Sequence, residues 1–258
     1  MKIARLAKSG LLMIISTLVL LPIAILLYIS FTKSWFYPHL LPESWSGEAW
    51  KSVGLSAGLL KILVKSLLLS LTVSLVSTSF AFLISKQISA YKKADKLFSV
   101  AYLPYAFSPV IYAFCIQFVF IQAGLKGSYS GVFLAQLLIT LPFAILLFAK
   151  HWSLQLKNIE SLSFSLGASK SQTWFKVILP ISRQIIVLSL LQTFLISWFD
   201  YGMSWVIGGG VVETLSLRLF QYISESNVAF SAMASLTLIV PPMIILLFQH
   251  KIMIRDVA

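Results

Sequence analysis

The sequence predicts an all-α integral membrane protein with six transmembrane helices, both termini cytoplasmic, and a short cytoplasmic helix-turn-helix between the fourth and fifth spans. Three observations predict this fold. Of the 258 residues, 59% are hydrophobic and 11% are charged, whereas soluble domains are roughly half apolar and a quarter charged. Six apolar stretches approach the ~20 residues that cross a bilayer. Basic residues are concentrated in alternate connecting segments. We therefore predict one transmembrane domain covering residues 1–258.

The predicted spans are residues 10–32, 66–85, 99–121, 131–149, 185–207 and 231–249. The first span follows three basic residues, as the apolar part of a signal peptide would. Its apolar core is too long for a signal peptide, however, and no small-residue cleavage site follows before Trp35. We therefore expect this segment to be retained as a membrane span.

The second span carries hydroxyl side chains at four-residue spacing, which places them on one helical face: Ser66, Ser70, Ser74 and Thr78. Small residues at this spacing let helices approach closely and hydrogen-bond to each other. The stripe therefore fits either packing against another helix or a polar wall of a translocation pathway. In the third span, Gln117 fits the same two alternatives.

Prolines lie inside four of the six spans: Pro22, Pro104, Pro109, Pro142, Pro241 and Pro242. Each removes a backbone donor and tends to kink its helix, which a membrane tolerates where neighbouring helices or water satisfy the freed carbonyl. Bundled helices that line a cavity would explain them. The general frequency of proline in membrane helices would explain them too.

The segment between the fourth and fifth spans is too polar to cross the membrane but has helical periodicity. Residues 153–166 place apolar side chains at three- or four-residue steps: Leu156, Ile159, Leu162 and Leu166. Gly167 then stands where a helix ends in a left-handed turn. Ser169 and Gln172 form a capping box for a second helix, which Pro180 is predicted to close. Such a helix-turn-helix is suited to being held by another protein, although a basic amphipathic helix also binds anionic lipid.

The fifth span contains Asp200, the one acidic residue inside the predicted spans. A carboxylate at a helix centre costs roughly 2.5 to 3.5 kcal/mol on insertion scales, and less toward the interface. Asp200 therefore fits a pathway or gate residue, a structural carboxylate that bonds neighbouring helices, or a protonated lipid-facing side chain. The candidate pathway residues are Asp200, Tyr201, Trp198, Ser70, Ser74 and Gln117.

The distribution of charge predicts the orientation. With the N-terminus inside, fourteen of the 20 basic residues fall in cytoplasmic segments and six on the other side, which is the positive-inside pattern. Basic loops of this kind also account for the net charge of +12. Because these residues are spread over several loops and tails with no single basic run, nucleic-acid binding is not expected.

Motifs for nucleotide, nucleophilic or metal chemistry are absent from the sequence. No Gly-x-x-x-x-Gly-Lys-Ser/Thr motif occurs, and the glycines 208–210 are followed by Val-Val-Glu. Neither Gly-x-Ser-x-Gly nor His-Glu-x-x-His is present. One cysteine, Cys115, and three distant histidines give no basis for a disulfide or a metal site. We predict a protein that is not an enzyme and binds no cofactor.

The loop resembles the Glu-Ala-Ala loop of the permease subunits of binding-protein-dependent ABC importers with the type I fold. Gly167, the nine residues 168–176, Val177 and Leu179-Pro180 fit the second half of that motif. In the first half, Ser161 occupies the glutamate position, Leu162 and Ser163 occupy the alanine positions, and Glu160 comes one residue early. The resemblance assigns ATPase coupling to Glu160, Ser161, Leu162, Ser163, Gly167, Ala168, Ser169, Leu179 and Pro180.

The resemblance extends from about Lys61 to the C-terminus, including Asp200-Tyr201 and Thr214-Leu215 after the loop. It implies a pore made by two permeases, identical or paralogous, in the bacterial inner membrane. Two ATPase subunits would use ATP and grip the segment 153–182, and a periplasmic binding protein would deliver the solute. The chain is similar to permeases for polyamines, iron(III), thiamine, phosphonates or oxyanions such as molybdate and sulfate.

Two other classes of function are considered. A self-sufficient secondary carrier or channel would use Asp200 and the hydroxyl stripe of the second span. A membrane-embedded enzyme is disfavoured because the sequence lacks catalytic motifs.

Overall fold

The structure, a computed structural model, describes residues 2–34, 42, 44–55 and 57–255. The chain divides into two compact units. Unit 1 comprises Met1–Leu63 and Leu215–Pro241, and unit 2 comprises Val64–Thr214 and Pro242–Ala258. Helices long and apolar enough to span a membrane occur five times in the described residues: Met13–Ser30, Gly58–Ser89, Tyr129–Ala149, Lys170–Trp198 and Val228–Leu247. The chain is therefore a multi-pass membrane protein.

Unit 1 contains helix α1 (Lys2–Ser30), strands β1 (Thr32–Ser34) and β2 (Ser44–Trp45), helix α2 (Glu48–Leu55) and helix α11 (Leu215–Ser224). It also contains the first residues of α3 (Ala57–Ser89) and the first half of α12 (Val228–Arg255). The all-α prediction omitted the strands, which pair antiparallel with Thr32 opposite Trp45. The Trp50 indole N–H donates to the Ser30 hydroxyl (2.9 Å) and so ties α2 to the end of α1.

Unit 2 contains most of α3 and the elements that follow it: α4 (Ala94–Val100), a 3₁₀ turn (Leu103–Ala106), α5 (Pro109–Gln122), α6 (Tyr129–Ala149), α7 (Leu154–Ser165), α8 (Lys170–Gln172), a π-helical segment (Thr173–Ile178), α9 (Leu179–Trp198) and α10 (Gly202–Gly208). One of its cores is aromatic. The Phe82 ring lies 5.2 Å from that of Phe148 and 4.8 Å from that of Trp152, and Phe148 is fully buried.

The third predicted span is not one helix. It is divided into α4, the 3₁₀ turn and α5, and α5 has 14 residues, which is ~21 Å at 1.5 Å per residue and short of a ~30 Å hydrocarbon core. Pro109 begins α5 because its fixed φ suits a first helical position. The residue before it, Ser108, is extended (φ −60°, ψ 142°), because the proline ring disfavours the helical conformation in the preceding residue. The prolines that suggested kinks here break the helix.

The fifth predicted span, 185–207, is also wrong as a continuous helix. Helix α9 ends at Trp198, and α10 begins at Gly202. At the other end, the helical run from Lys170 to Trp198 is uninterrupted, so Pro180 does not close the second helix of the loop. Proline normally clashes with the carbonyl four residues earlier. The π-helical segment Thr173–Ile178 immediately precedes α9, and its i→i+5 bonding changes that geometry.

Candidate functional site

The segment 153–182, called here the 153–182 loop, turns sharply after α7. Gly167 has the predicted left-handed conformation, with φ +85°. Its N–H donates to the Phe164 carbonyl (2.9 Å), and the Ala168 N–H donates to the Ser163 carbonyl (3.1 Å). These two bonds form a Schellman motif, which satisfies carbonyls that the helix end would leave without donors.

The predicted capping box begins the helical run after the turn. The Ser169 hydroxyl accepts from the Gln172 N–H (3.2 Å), and the Gln172 side-chain oxygen accepts from the Ser169 N–H (2.9 Å). Such a cap typically contributes about 1 kcal/mol. Both ends of the turn are therefore fixed by local hydrogen bonds.

A buried hydroxyl pair joins the two arms of the loop. The Ser163 and Thr173 hydroxyls are 2.9 Å apart, and both residues are buried. Ser163 occupies one of the alanine positions of the motif, and its hydroxyl makes a hydrogen bond that an alanine could not make. Leu179, which is half-buried, packs against the aromatic core of unit 2. The loop is thus a stiff helix-turn-helix.

The loop is fastened to the last turn of α3. The Lys86 ammonium donates to the Glu160 carboxylate at 2.6 Å. The Lys157 ammonium donates to the Ser89 carbonyl at 2.7 Å. Sequence analysis identified Glu160 but not Lys86, because the two are 74 residues apart and no local pattern connects them.

The tip of the loop presents apolar side chains outward. Leu162, Leu166 and Phe175 are 59%, 80% and 65% exposed. Ser161, at the glutamate position, is exposed and its hydroxyl donates to the Asn158 carbonyl (2.8 Å). The remaining coupling candidates, Ala168 and Pro180, are half-buried and exposed respectively. This surface is one that a protein partner could cover.

His151 links the turn that precedes the loop to Ser182 at the loop's end. Its Nε2 lies 2.7 Å from the Ser182 hydroxyl, and its ring lies 5.4 Å from that of Trp152. Desolvation by burial lowers the pKa of His151. The neutral imidazole is therefore favoured at this position.

Asp200 lies at the break between α9 and α10 in a closed hydrogen-bond network. Its Oδ2 accepts from the Gln136 amide (3.1 Å) and from the Ser204 N–H and hydroxyl (both 2.9 Å), and its Oδ1 accepts from the Met203 N–H (3.2 Å). Ser197 donates to the Gln136 oxygen (2.6 Å). The carboxylate thus caps the start of α10 and joins it to α6, an arrangement that favours the structural alternative.

A cavity of about 280 Å³ adjoins this network. Asp200, Tyr201 and Gln136 line it, together with apolar residues of α5, α6 and α9. Gly202 brings α10 close to the start of α5, since a Cβ there would lie 2.7 Å from a Val110 methyl. The cavity unites two of the candidate pathway residues.

The other candidate pathway residues do not line this cavity. The Ser74 hydroxyl donates to the Leu190 carbonyl (3.1 Å), and the Thr78 hydroxyl lies 3.2 Å from that of Ser189, so this part of the hydroxyl stripe packs against α9. Ser70 and Trp198 are buried and Gln117 is half-buried. Contacts with α9 favour packing as the role of the stripe.

Among the residues that the structure describes, no group of three His, Cys, Asp or Glu side chains could hold a metal ion.

Comparisons with known proteins agree on one class. No family model matches the chain. The ferric transport system permease protein FbpB of Actinobacillus pleuropneumoniae is 25% identical over 198 residues, which cover 69% of this chain and 28% of the relative. The "Probable transport system permease protein NifC" of Clostridium pasteurianum is 20% identical over 215 residues, covering 75% of this chain and 74% of the relative. The chain spans less than a third of the length of the first two curated relatives that it matches.

Two solved structures have the same fold. A chain of a bacterial ABC transporter involved in the import of the acidic polysaccharide alginate aligns over 97% of this chain and 95% of its own, with a TM-score of 0.64 and 17% identity. A chain of the inward-facing MetNI methionine ABC transporter aligns over 79% of this chain and 100% of its own, with a TM-score of 0.52 and 17% identity. At these identities the likeness shows the fold.

Proposed function

We propose that this chain is the membrane-spanning permease subunit of an ABC importer. The premise is that it is a relative of ABC transport system permeases and a transport protein rather than an enzyme. Two such subunits, identical or paralogous, form the pore in the bacterial inner membrane. Two ATPase subunits, which bind and hydrolyse ATP, dock on the 153–182 loop. A periplasmic binding protein delivers the solute.

The observation that carries this proposal is the stiffness of the 153–182 loop together with its exposed tip. A displacement is passed on only by a rigid element, because a flexible segment absorbs it. Hydrogen bonds hold this loop at the Gly167 turn, at the Ser169 cap and between Ser163 and Thr173. Its apolar tip at Leu166 remains available to a partner. A membrane-surface anchor would need the apolar tip but not the rigid turn.

The proposed substrates are those that the resemblance implies: a polyamine, iron(III), thiamine, a phosphonate or an oxyanion. Iron(III) comes first because a relative carries the name of a ferric transport permease. In this scheme the binding protein sets most of the specificity, and the cavity beside Asp200 is the proposed part of the pathway in unit 2.

Substitution at the loop tip tests the proposal. Leu166 is 80% exposed, so Leu166→Glu should leave the fold intact. A carboxylate buried without a partner in an interface is strongly unfavourable. We expect Leu166→Glu to abolish co-purification of the ATPase subunits and ATP-dependent uptake in proteoliposomes, and the matched control Leu166→Met to retain both. Uptake driven by an ion gradient through the purified chain, without nucleotide, would contradict the proposal and support a secondary carrier.

A further inference from the structure

We infer that Lys86 is a positioning residue that connects the 153–182 loop to helix α3, so that an ATPase moving the loop also moves α3. The source of the movement rests on the proposed function. The connection itself rests on contacts within unit 2. Movement of the loop can pass into the membrane directly through α9, which continues from the loop. The contacts of Lys86 add a second path, through α3.

Lys86 occupies a site built by three elements. Its ammonium lies 2.6 Å from the Glu160 carboxylate of α7, 4.8 Å from the centre of the Trp174 ring in the π-helical segment, and 5.6 Å from that of Trp152. A cation over an aromatic face is attracted by the ring quadrupole, and a charge-assisted hydrogen bond is stronger than a neutral one. Lys86 therefore holds both arms of the loop at once.

This contact differs from an ordinary surface ion pair, which contributes little. The two side chains are only 30% and 23% exposed. Neighbouring bonds support the same turn of α3: the Trp152 indole N–H donates to the Ser85 hydroxyl (2.8 Å), and Lys157 donates to the Ser89 carbonyl (2.7 Å). Residues 85, 86 and 89 thus each hold part of the loop region.

Helix α3 is in turn fastened to α9 along its hydroxyl stripe. Ser74 donates to the Leu190 carbonyl (3.1 Å), and Thr78 lies within 3.3 Å of the hydroxyls of both Ser189 and Thr193. Because α9 continues from the loop, the loop, α3 and α9 form a closed set of connections. A shift of the loop relative to α3 would strain or break the contacts of Lys86 with Glu160 and the tryptophan rings.

The first experiment uses the permease alone. Spin labels at two exposed positions, Gln87→Cys on α3 and Gln155→Cys on α7, report the distance between the elements in a Cys115→Ser background. We expect a narrow distribution in the wild type and in Lys86→Arg, whose guanidinium keeps the ion pair and the ring contacts. Lys86→Met should broaden it, and Lys96→Met, at an exposed lysine outside the loop, should not.

The second experiment uses the complex with its ATPase subunits. Labels at Leu75→Cys on α3 and Phe118→Cys on α5, both exposed, follow the change caused by trapping the ATPases with ADP and vanadate. We expect Lys86→Met to retain ATPase binding but to reduce the shifted population roughly 2- to 30-fold, the range usual for residues that carry coupling. Lys86→Arg should restore it.

Three outcomes decide the inference. An unbroadened loop distance in Lys86→Met, or a full nucleotide-driven shift in that variant, would overturn it. Loss of ATPase binding in Lys86→Met would also overturn it, because the residue would then only maintain the docking surface. Absence of any ATPase complex or shift in the wild type would instead contradict the proposed function, while the label distances in the permease alone would still judge the connection.

Discussion

Replacement of Gly167 tests whether the left-handed turn holds the 153–182 loop in place. Gly167 has φ +85°, and a Cβ added there would meet no atom within 4 Å. Alanine therefore introduces backbone strain alone, about 1 to 2 kcal/mol. Asparagine tolerates this conformation better and should cause a smaller loss. Proline fixes φ near −65° and removes the N–H that donates to Phe164, so its effect should be larger, about 3 kcal/mol.

Hydrogen exchange of the loop amides in the purified permease measures these effects without any partner. A loss of 1 to 2 kcal/mol in local opening corresponds to exchange roughly 5- to 30-fold faster. We expect the order wild type, Gly167→Asn, Gly167→Ala, Gly167→Pro from slowest to fastest. Gly58→Ala is the matched control, because Gly58 also has no atom within 4 Å of an added Cβ but lies in α3 without positive φ. Loop exchange within twofold of wild type in both the alanine and proline variants would refute the reasoning.

Three further predictions concern stability of the permease alone, measured by thermal unfolding in detergent. Gly202→Ala should lower the free energy of unfolding by about 1 to 3 kcal/mol, because its Cβ would lie 2.7 Å from a Val110 methyl. Adding Val110→Ala to this variant should restore only part of the loss, since the Val110 backbone N is 3.1 Å from the same Cβ. Asp200→Asn should lower the free energy of unfolding by about 1 to 3 kcal/mol, because the new side-chain N–H would face a donor such as the Gln136 amide. A variant with unchanged stability and lost uptake would indicate a pathway role for Asp200 instead. Burial lowers the pKa of His151 in the folded protein, so as the pH falls this side chain is protonated in the unfolded chain first. The contribution of His151 to the free energy of unfolding should therefore be constant above about pH 6.5 and decrease below it. If the stability of His151→Gln decreases equally steeply below about pH 6.5, groups other than His151 cause the decrease.

The features predicted well from the sequence depend on residues close together in the chain. The Gly167 turn and the Ser169 cap each rest on hydrogen bonds that span three to five residues. The type of side chain at one position then largely decides the local conformation. For the same reason the long apolar helices were located, since length and hydropathy are properties of a continuous segment.

The features that were missed depend on distant partners or on breaks. The Lys86–Glu160 pair joins residues far apart in sequence, and an isolated lysine carries no signal of its partner. Hydropathy stays high through Pro109 although the helix begins anew there. The residues around Asp200 are apolar although α9 ends at Trp198. The sequence shows Asp200 as a charge within an apolar segment, and in the structure its carboxylate caps the start of α10. Composition does not register where a helix ends inside an apolar segment.

The π-helical segment Thr173–Ile178 also sets the rotational phase of everything that follows it. An i→i+5 turn takes in about one residue more than an α-turn, and each α-helical residue advances roughly 100° around the axis. A helical wheel drawn from Ser169 at a constant 3.6 residues per turn would thus assign Ser189 and Thr193 to the wrong side of α9. If these six residues wound as an ordinary α-helix, the hydroxyl-bonded face of α9 would turn roughly 100° away from α3. Deleting one residue between Thr173 and Ile178 would instead let the segment wind as an α-helix and keep that face toward α3.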